Sequence, residues 1–216
     1  SDVVVSGSFK DITNPLNLPA RTFRLKYKLG YNPSTDTFLH PHSDTDIFRR
    51  VSTNPNVWDV TLGEEYYANT IAEYLNANLP ASQRHYDLLE VLGANTTGMT
   101  NMADLFENCD ALTKVALFDT SNVTEMRYMF NFCRSLTEIP LFDTSNVKTF
   151  QNFCNGCFNL TNIPLLNTDH AGELYEFDPV TRPGQLTPGT VENMFCYCYK
   201  VQSGALALYN QISSQH

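Results

Sequence analysis

His40, His42, Asp44 and Asp46 alternate in FLHPHSDTD and are the first residues whose types could do chemistry. A His-x-His pair chelates a metal when further ligands converge on it, and carboxylates can complete the shell. Pro41 splits the run and no further His or acidic motif is pinned beside it, so the expectation is a polar loop. Six cysteines follow: Cys109, Cys133, Cys154, Cys157, Cys196 and Cys198. Cys154, Cys157, Cys196 and Cys198 join a C-x-x-C to a C-x-C, a poor spacing for tetrahedral zinc. Glu64 and Glu65 are neighbours in sequence, so on a helix their carboxylates diverge. The chain lacks G-x-S-x-G, a Walker loop, H-E-x-x-H and a dinucleotide fingerprint. The expectation is no enzyme, no cofactor and no metal.

Arg24, Lys26 and Lys28 form a basic row that could meet an acidic ligand or be the solvated face of an edge strand. The second reading is favoured, because charges there block aggregation. Overall the balance is acidic, with 14 Lys and Arg against 23 Asp and Glu and a net charge of −9. Broad nucleic-acid binding needs the opposite sign. Hydrophobic residues at 42% and aromatics at 12% exclude a disordered chain. No apolar run approaches the roughly 18 residues of a membrane span.

What positions these groups is a repeat. Residues 96–119 read TTGMTNMADLFENCDALTKVALFD, residues 120–143 TSNVTEMRYMFNFCRSLTEIPLFD, and residues 144–167 TSNVKTFQNFCNGCFNLTNIPLLN. Leu112, Leu136 and Leu160 fall in one column, Val115, Ile139 and Ile163 in a second, and Leu117, Leu141 and Leu165 in a third. That pattern predicts one strand per copy with these side chains inward. A single such strand cannot bury its face, so the copies are expected to stack. Met126, Met129 and Phe130 have the i, i+3, i+4 spacing of a short helix or 3₁₀ turn. Cys109, Cys133, Cys157 and Cys198 share a column that suits small buried thiols. Val191, Met194, Phe195 and Cys198 restart the pattern after an insertion at 171–190. Residues 201–212 then read as a helix with Leu206, Tyr209 and Ile212 on one side.

The phrase SNVTEMRYMFNFC and the LTEIPLFD before the next copy resemble the repeat of BspA-like bacterial surface proteins. These form a Treponema-type branch of leucine-rich repeats, related to a Mycoplasma lipoprotein repeat. The resemblance covers about 86–167 and 191–198. It implies an exported or surface-anchored protein, a leucine-rich-repeat solenoid, and binding or adhesion in place of catalysis.

Residues 1–84 lack the repeat. Phe23, Leu25, Tyr27 and Leu29 alternate with basic residues as one strand, Trp58, Val60 and Leu62 form a second, and 64–78 reads as a helix. The expected architecture is α+β. An N-terminal α+β cap (1–84) leads into a short leucine-rich-repeat solenoid (85–216) of parallel sheet and short helices, with the insertion and a C-terminal helix. Candidate binding residues are Lys114, Glu138 and Asn162, between the inward positions, and Phe118 and Phe142, whose rings either form an exposed ladder or fold over the turn into the core. Tyr175 and Phe177 in the insertion complete the set, since long loops on rigid scaffolds often recognise partners. The expected function is a bacterial surface or secreted module that binds a protein partner, host or bacterial. The alternatives are a glycan-binding module and a structural spacer, with any membrane or envelope anchor outside this segment.

Overall fold

The computed structural model describes residues 12–35, 48–62, 87–171 and 191–215. Five strands form one mixed sheet: β1 (Thr22–Tyr27), β2 (Phe48–Thr53), β3 (Asn56–Thr61), β4 (Leu88–Asn95) and β5 (Lys114–Val115). Their order is β2-β3-β1-β4-β5. Alternation builds β1 as expected, with Phe23, Leu25 and Tyr27 buried, while Leu29 lies past its end and is exposed. The strand is internal, paired antiparallel to both β3 and β4. The basic row is therefore not on an edge strand. Arg24 instead grips Asp59 of β3 through two hydrogen bonds, 2.8 and 3.0 Å, and Arg49 of β2 adds a third at 2.9 Å. Trp58 and Val60 are buried on β3, and Leu62 just after it. The predicted helix at 64–78 lies outside the described residues.

The expected solenoid of parallel sheet and short helices is overturned. The sheet is antiparallel from β2 through β4, its one parallel pairing is the short β4–β5 ladder, and no helix occurs in 96–167. Two local causes are visible. Ala116 donates its N–H to Val91 O at 2.9 Å beside β5. Pro140 and Pro164 take that position in the next copies and have no N–H to give, so no strand extends there. Instead Phe142 N–H donates to Pro140 O (2.8 Å) and Leu166 N–H to Pro164 O (2.9 Å), closing three-residue γ-turns. Each turn throws its central leucine outward. Leu141 and Leu165, predicted inward, are 64% and 51% exposed, while Phe142 and Leu166 take the core positions.

The second cause lies in the Met-x-x-Met-Phe segments. Asp104, Tyr128, Asn152 and Asn193 have left-handed backbones, and so do Asn108, Phe132, Gly156 and Tyr197 four residues later. For a non-glycine residue this costs roughly 1–2 kcal/mol, and it breaks a helix. The return is that alternate N–H groups turn toward the next copy. Met126, Tyr128, Phe130 and Phe132 donate to Thr149, Gln151, Phe153 and Asn155 at 2.7–3.1 Å, and Met102, Asp104, Phe106 and Asn108 of the copy before donate to Glu125, Arg127, Met129 and Asn131. The N–H groups between bond back within their own copy, such as Met129 to Met126 O. The copies thus lie in layers, joined by backbone bonds that a helix would have kept internal.

The core is continuous across the layers. Phe23 meets Phe106 and Phe118 edge-on, Phe106 stacks on Phe130 at 5.6 Å, and Phe130 leads to Phe153 and then Phe195. The C-terminal helix α1 (Ala205–Gln215) lies beyond the third copy. It turns Leu208 inward, with Ile212 one turn on, while Leu206 and Tyr209 are exposed, which corrects the predicted apolar side. Gln211 Nε2 fixes it by donating to Leu166 O (2.7 Å) and Thr168 Oγ1 (2.9 Å).

Candidate binding surface

Lys114, Glu138 and Asn162 stand one per layer and are exposed, as their positions predict. Asn162 Oδ1 accepts from Ser203 Oγ at 2.7 Å, which ties this column to the segment leading into α1. Phe118 and Phe142 are only 1% and 2% exposed, so the ladder of exposed rings is not formed and both are core residues. At Phe142 the γ-turn is the reason, because it exchanges leucine for phenylalanine, while Phe118 turns in against the rings of Phe23 and Phe142. Tyr175, Phe177, His40, His42, Asp44, Asp46 and the insertion beyond Ala171 lie outside the described residues.

Two surface features were not read from the sequence. The first is the pair of leucines that the γ-turns expose. Leu141 and Leu165 are exposed at matching positions of successive copies, Leu117 at the same position of the first copy is partly buried, and Leu206 on α1 is also exposed. The two leucines stand three residues beyond Glu138 and Asn162 in their own copies. The second is aromatic. Phe132, Phe158, Tyr197 and Tyr199 gather over the second to fourth layers around Arg134. Their columns hold Asn108, Gly156 and Asp110 elsewhere, so no repeated letter announced them.

Several buried or half-buried titratable groups sit between layers. Glu107 accepts from Asn131 Nδ2 at 3.0 Å, and Asn131 Oδ1 accepts from Asn155 Nδ2 at 3.1 Å. Burial, with the Asp104 carboxyl alongside, pushes Glu107 up to about 7, although the Asn131 bond works against the rise. Asp104 is also raised by burial, against the pull of Glu107 and Arg127. Cys133 donates to Phe106 O at 3.0 Å, and burial pushes its thiol well up. Cys198 rises to about 11, chiefly through burial. Both remain thiols at neutral pH and are poor nucleophiles. Cys154 and Cys157 are bonded to each other, so Cys157 leaves the predicted row of thiols and the C-x-x-C half of the zinc quartet is joined sulfur to sulfur. A cleft of about 190 Å³ is lined by Asn14, Asn95, Thr96 and Asp119 among others. Much of its polar lining is already engaged, Asn14 with the Leu18 backbone and Asp119 with Ser121.

The exposed features lie on, or just beyond, a stretch of chain with known relatives. Residues 82–175 match the family model described as Mycoplasma protein of unknown function, DUF285. No curated protein and no solved structure matches the chain. The DUF285 match takes in β4, β5 and the three full copies, and with them Lys114, Glu138, Asn162, Leu141, Leu165, Arg134 and Phe158. It stops short of Tyr197, Tyr199 and α1. It bears out the Mycoplasma side of the repeat resemblance and assigns no activity. No helix among the described residues is long and apolar enough to cross a membrane.

Proposed function

We propose that the chain is a non-catalytic binding module of an exported or surface-displayed bacterial protein, and that it recognises a protein partner. The observation that carries this reading is the exposure of Leu141 and Leu165, at matching positions of successive copies, with the exposed polar residues Glu138 and Asn162 three residues before them. Apolar groups rimmed by polar ones are the usual composition of a protein contact. Layer-to-layer backbone bonds hold the copies rigid, which limits the ordering cost of association. The resemblance to BspA-like surface proteins supports display outside the cell. The Cys154–Cys157 bond supports it too, since disulfides persist in oxidising compartments.

The test is binding to an array of matrix and bacterial surface proteins, run with wild type and with Leu141→Asp/Leu165→Asp. These side chains are exposed, so the variant keeps its thermal stability. A specific hit weakened at least tenfold by the pair supports the reading. Equal binding by both proteins, or no hit at all, sinks it. A second variant with 172–190 replaced by a short linker asks whether Tyr175 and Phe177 share in recognition.

A further inference from the structure

We propose that Tyr197 and Tyr199, backed by Phe158 and Arg134, form a stacking platform for the pyranose rings of a neutral glycan. The site is separate from the exposed leucines and does not rest on them.

Register builds the platform. Arg134, Phe158 and Tyr199 occupy one column in successive layers. The Arg134 guanidinium lies 5.4 Å from the Phe158 ring centre and 5.7 Å from Phe132. Phe158 and Tyr199 are 5.8 Å apart and 9° from parallel. Tyr197 meets Tyr199 at 6.0 Å and 60°. One face of Tyr199 is covered by Phe158, yet the residue is 74% exposed, and Tyr197 is 55% exposed.

The backbone does not account for these rings. Tyr197 and Phe132 sit at left-handed positions, φ 60° and 57°, where the other copies place Asn108 and Gly156. Gly and Asn are the residues that suit such backbones. Bulky rings there carry strain, and such strain is found at functional sites. The core does not require them either, since the inward positions are already filled by Phe106, Phe130 and Phe153.

The chemistry of the surroundings selects the ligand. A pyranose offers an apolar face of C–H groups and a rim of hydroxyls. Stacking that face on an aromatic ring removes apolar area from water on both sides. The tyrosine hydroxyls and the Lys200–Asn159 pair, 2.7 Å apart, supply donors and acceptors for the rim. An anionic polymer fits less well. Arg134 already faces Asp110 at 3.6 Å, Lys200 is held by Asn159, and the chain carries a net charge of −9. Tyr197 and Tyr199, with ring centres 6.0 Å apart, suit consecutive units of one chain.

The experiment is calorimetric titration of the full chain with cello-, chito-, manno- and laminari-hexaose, and in parallel with heparin and oligo-dT. The expected result is saturable binding of at least one neutral hexaose and none of the two polyanions. Tyr199→Ala should weaken it about tenfold or more, the scale of losing one stacked ring. Tyr199→Phe should keep most of the affinity, and Tyr209→Ala on α1 should change nothing. Circular dichroism confirms that each variant is folded. Failure of every neutral hexaose at millimolar concentration overturns the proposal. So does tighter binding of heparin or oligo-dT, or equal affinity of wild type and Tyr199→Ala. A Tyr199→Phe loss as large as the Ala loss overturns the stacking mechanism, because the hydroxyl would then carry the binding.

Discussion

The side-chain amide of Asn131 donates to the Glu107 carboxyl across one layer, at 3.0 Å. Burial raises that carboxyl to about 7, so the folded chain holds a proton that the unfolded chain, near 4.5, has released. The stability that this proton confers is complete below about pH 4.5 and is lost as the pH rises through 7. Glu107→Gln keeps an acceptor for Asn131 and removes the titration. Melting curves from pH 5 to 8 should fall for wild type and stay flatter for Glu107→Gln, with the variant higher by about 2–5 °C at pH 8. Parallel curves would show that Glu107 is not the titrating group.

Asp59 obeys the opposite sign. Burial alone would raise its carboxyl, but hydrogen bonds and charge from Arg24 and Arg49 hold it below its ordinary value. Its contribution is present at neutral pH and disappears as the pH falls through that lowered value. Arg24→Ala leaves the buried carboxylate with the exposed Arg49 alone and should cost about 3 kcal/mol in urea unfolding. Arg49 is largely exposed, so Arg49→Ala should cost about 1 kcal/mol or less. Similar losses for the two arginines would contradict this division.

Asn155 Oδ1 is buried with no hydrogen-bond partner, at the end of the row Glu107, Asn131, Asn155. Cys196 holds the next position. Cys196→Asn should extend the row by one amide and add about 1 kcal/mol of stability. Cys196→Ala serves as the control, and urea midpoints compare the two. A midpoint for Cys196→Asn at or below that of Cys196→Ala would show that the new amide does not reach Asn155.

Ala116→Pro imposes on the first copy what Pro140 and Pro164 do in the others. It removes the Ala116 N–H bond to Val91 O and should destabilise the chain by about 1–3 kcal/mol. Hydrogen exchange should then quicken at Thr113, whose amide bonds to Leu89 O in the same pairing. Unchanged protection there would mean that β5 owes nothing to this bond.

Much of the core was legible because burial recurs every 24 residues. Leu112, Leu136 and Leu160 are all buried, as are Met126, Met129 and Phe130. What the pattern could not carry is backbone hydrogen bonding. A buried i, i+3, i+4 set looks the same whether its N–H groups bond within a helix or across layers, and left-handed Tyr128 and Phe132 decided for the second. Leu141 and Phe142 are adjacent apolar residues, so their order inside and out depended on a γ-turn that hydrophobicity does not encode. Lys114, Glu138 and Asn162 were readable as exposed because they stand between inward positions. Tyr197 and Tyr199 were not, because no other copy repeats them.

The layer bonds repeat with the copy. Met102, Met126 and Asn152 give their N–H groups forward, to Glu125 O, Thr149 O and Glu192 O, while Thr124, Lys148 and Thr161 give theirs back, to Thr100 O, Thr124 O and Thr137 O. Every full copy therefore presents the same set of donors and acceptors to the layer on either side, like a tile whose edges match those of its neighbours. A whole copy can be duplicated or deleted by recombination and still leave matched edges where the cut is sealed. The number of layers, and with it the reach of any surface they display, is then a quantity that a lineage can change in single steps.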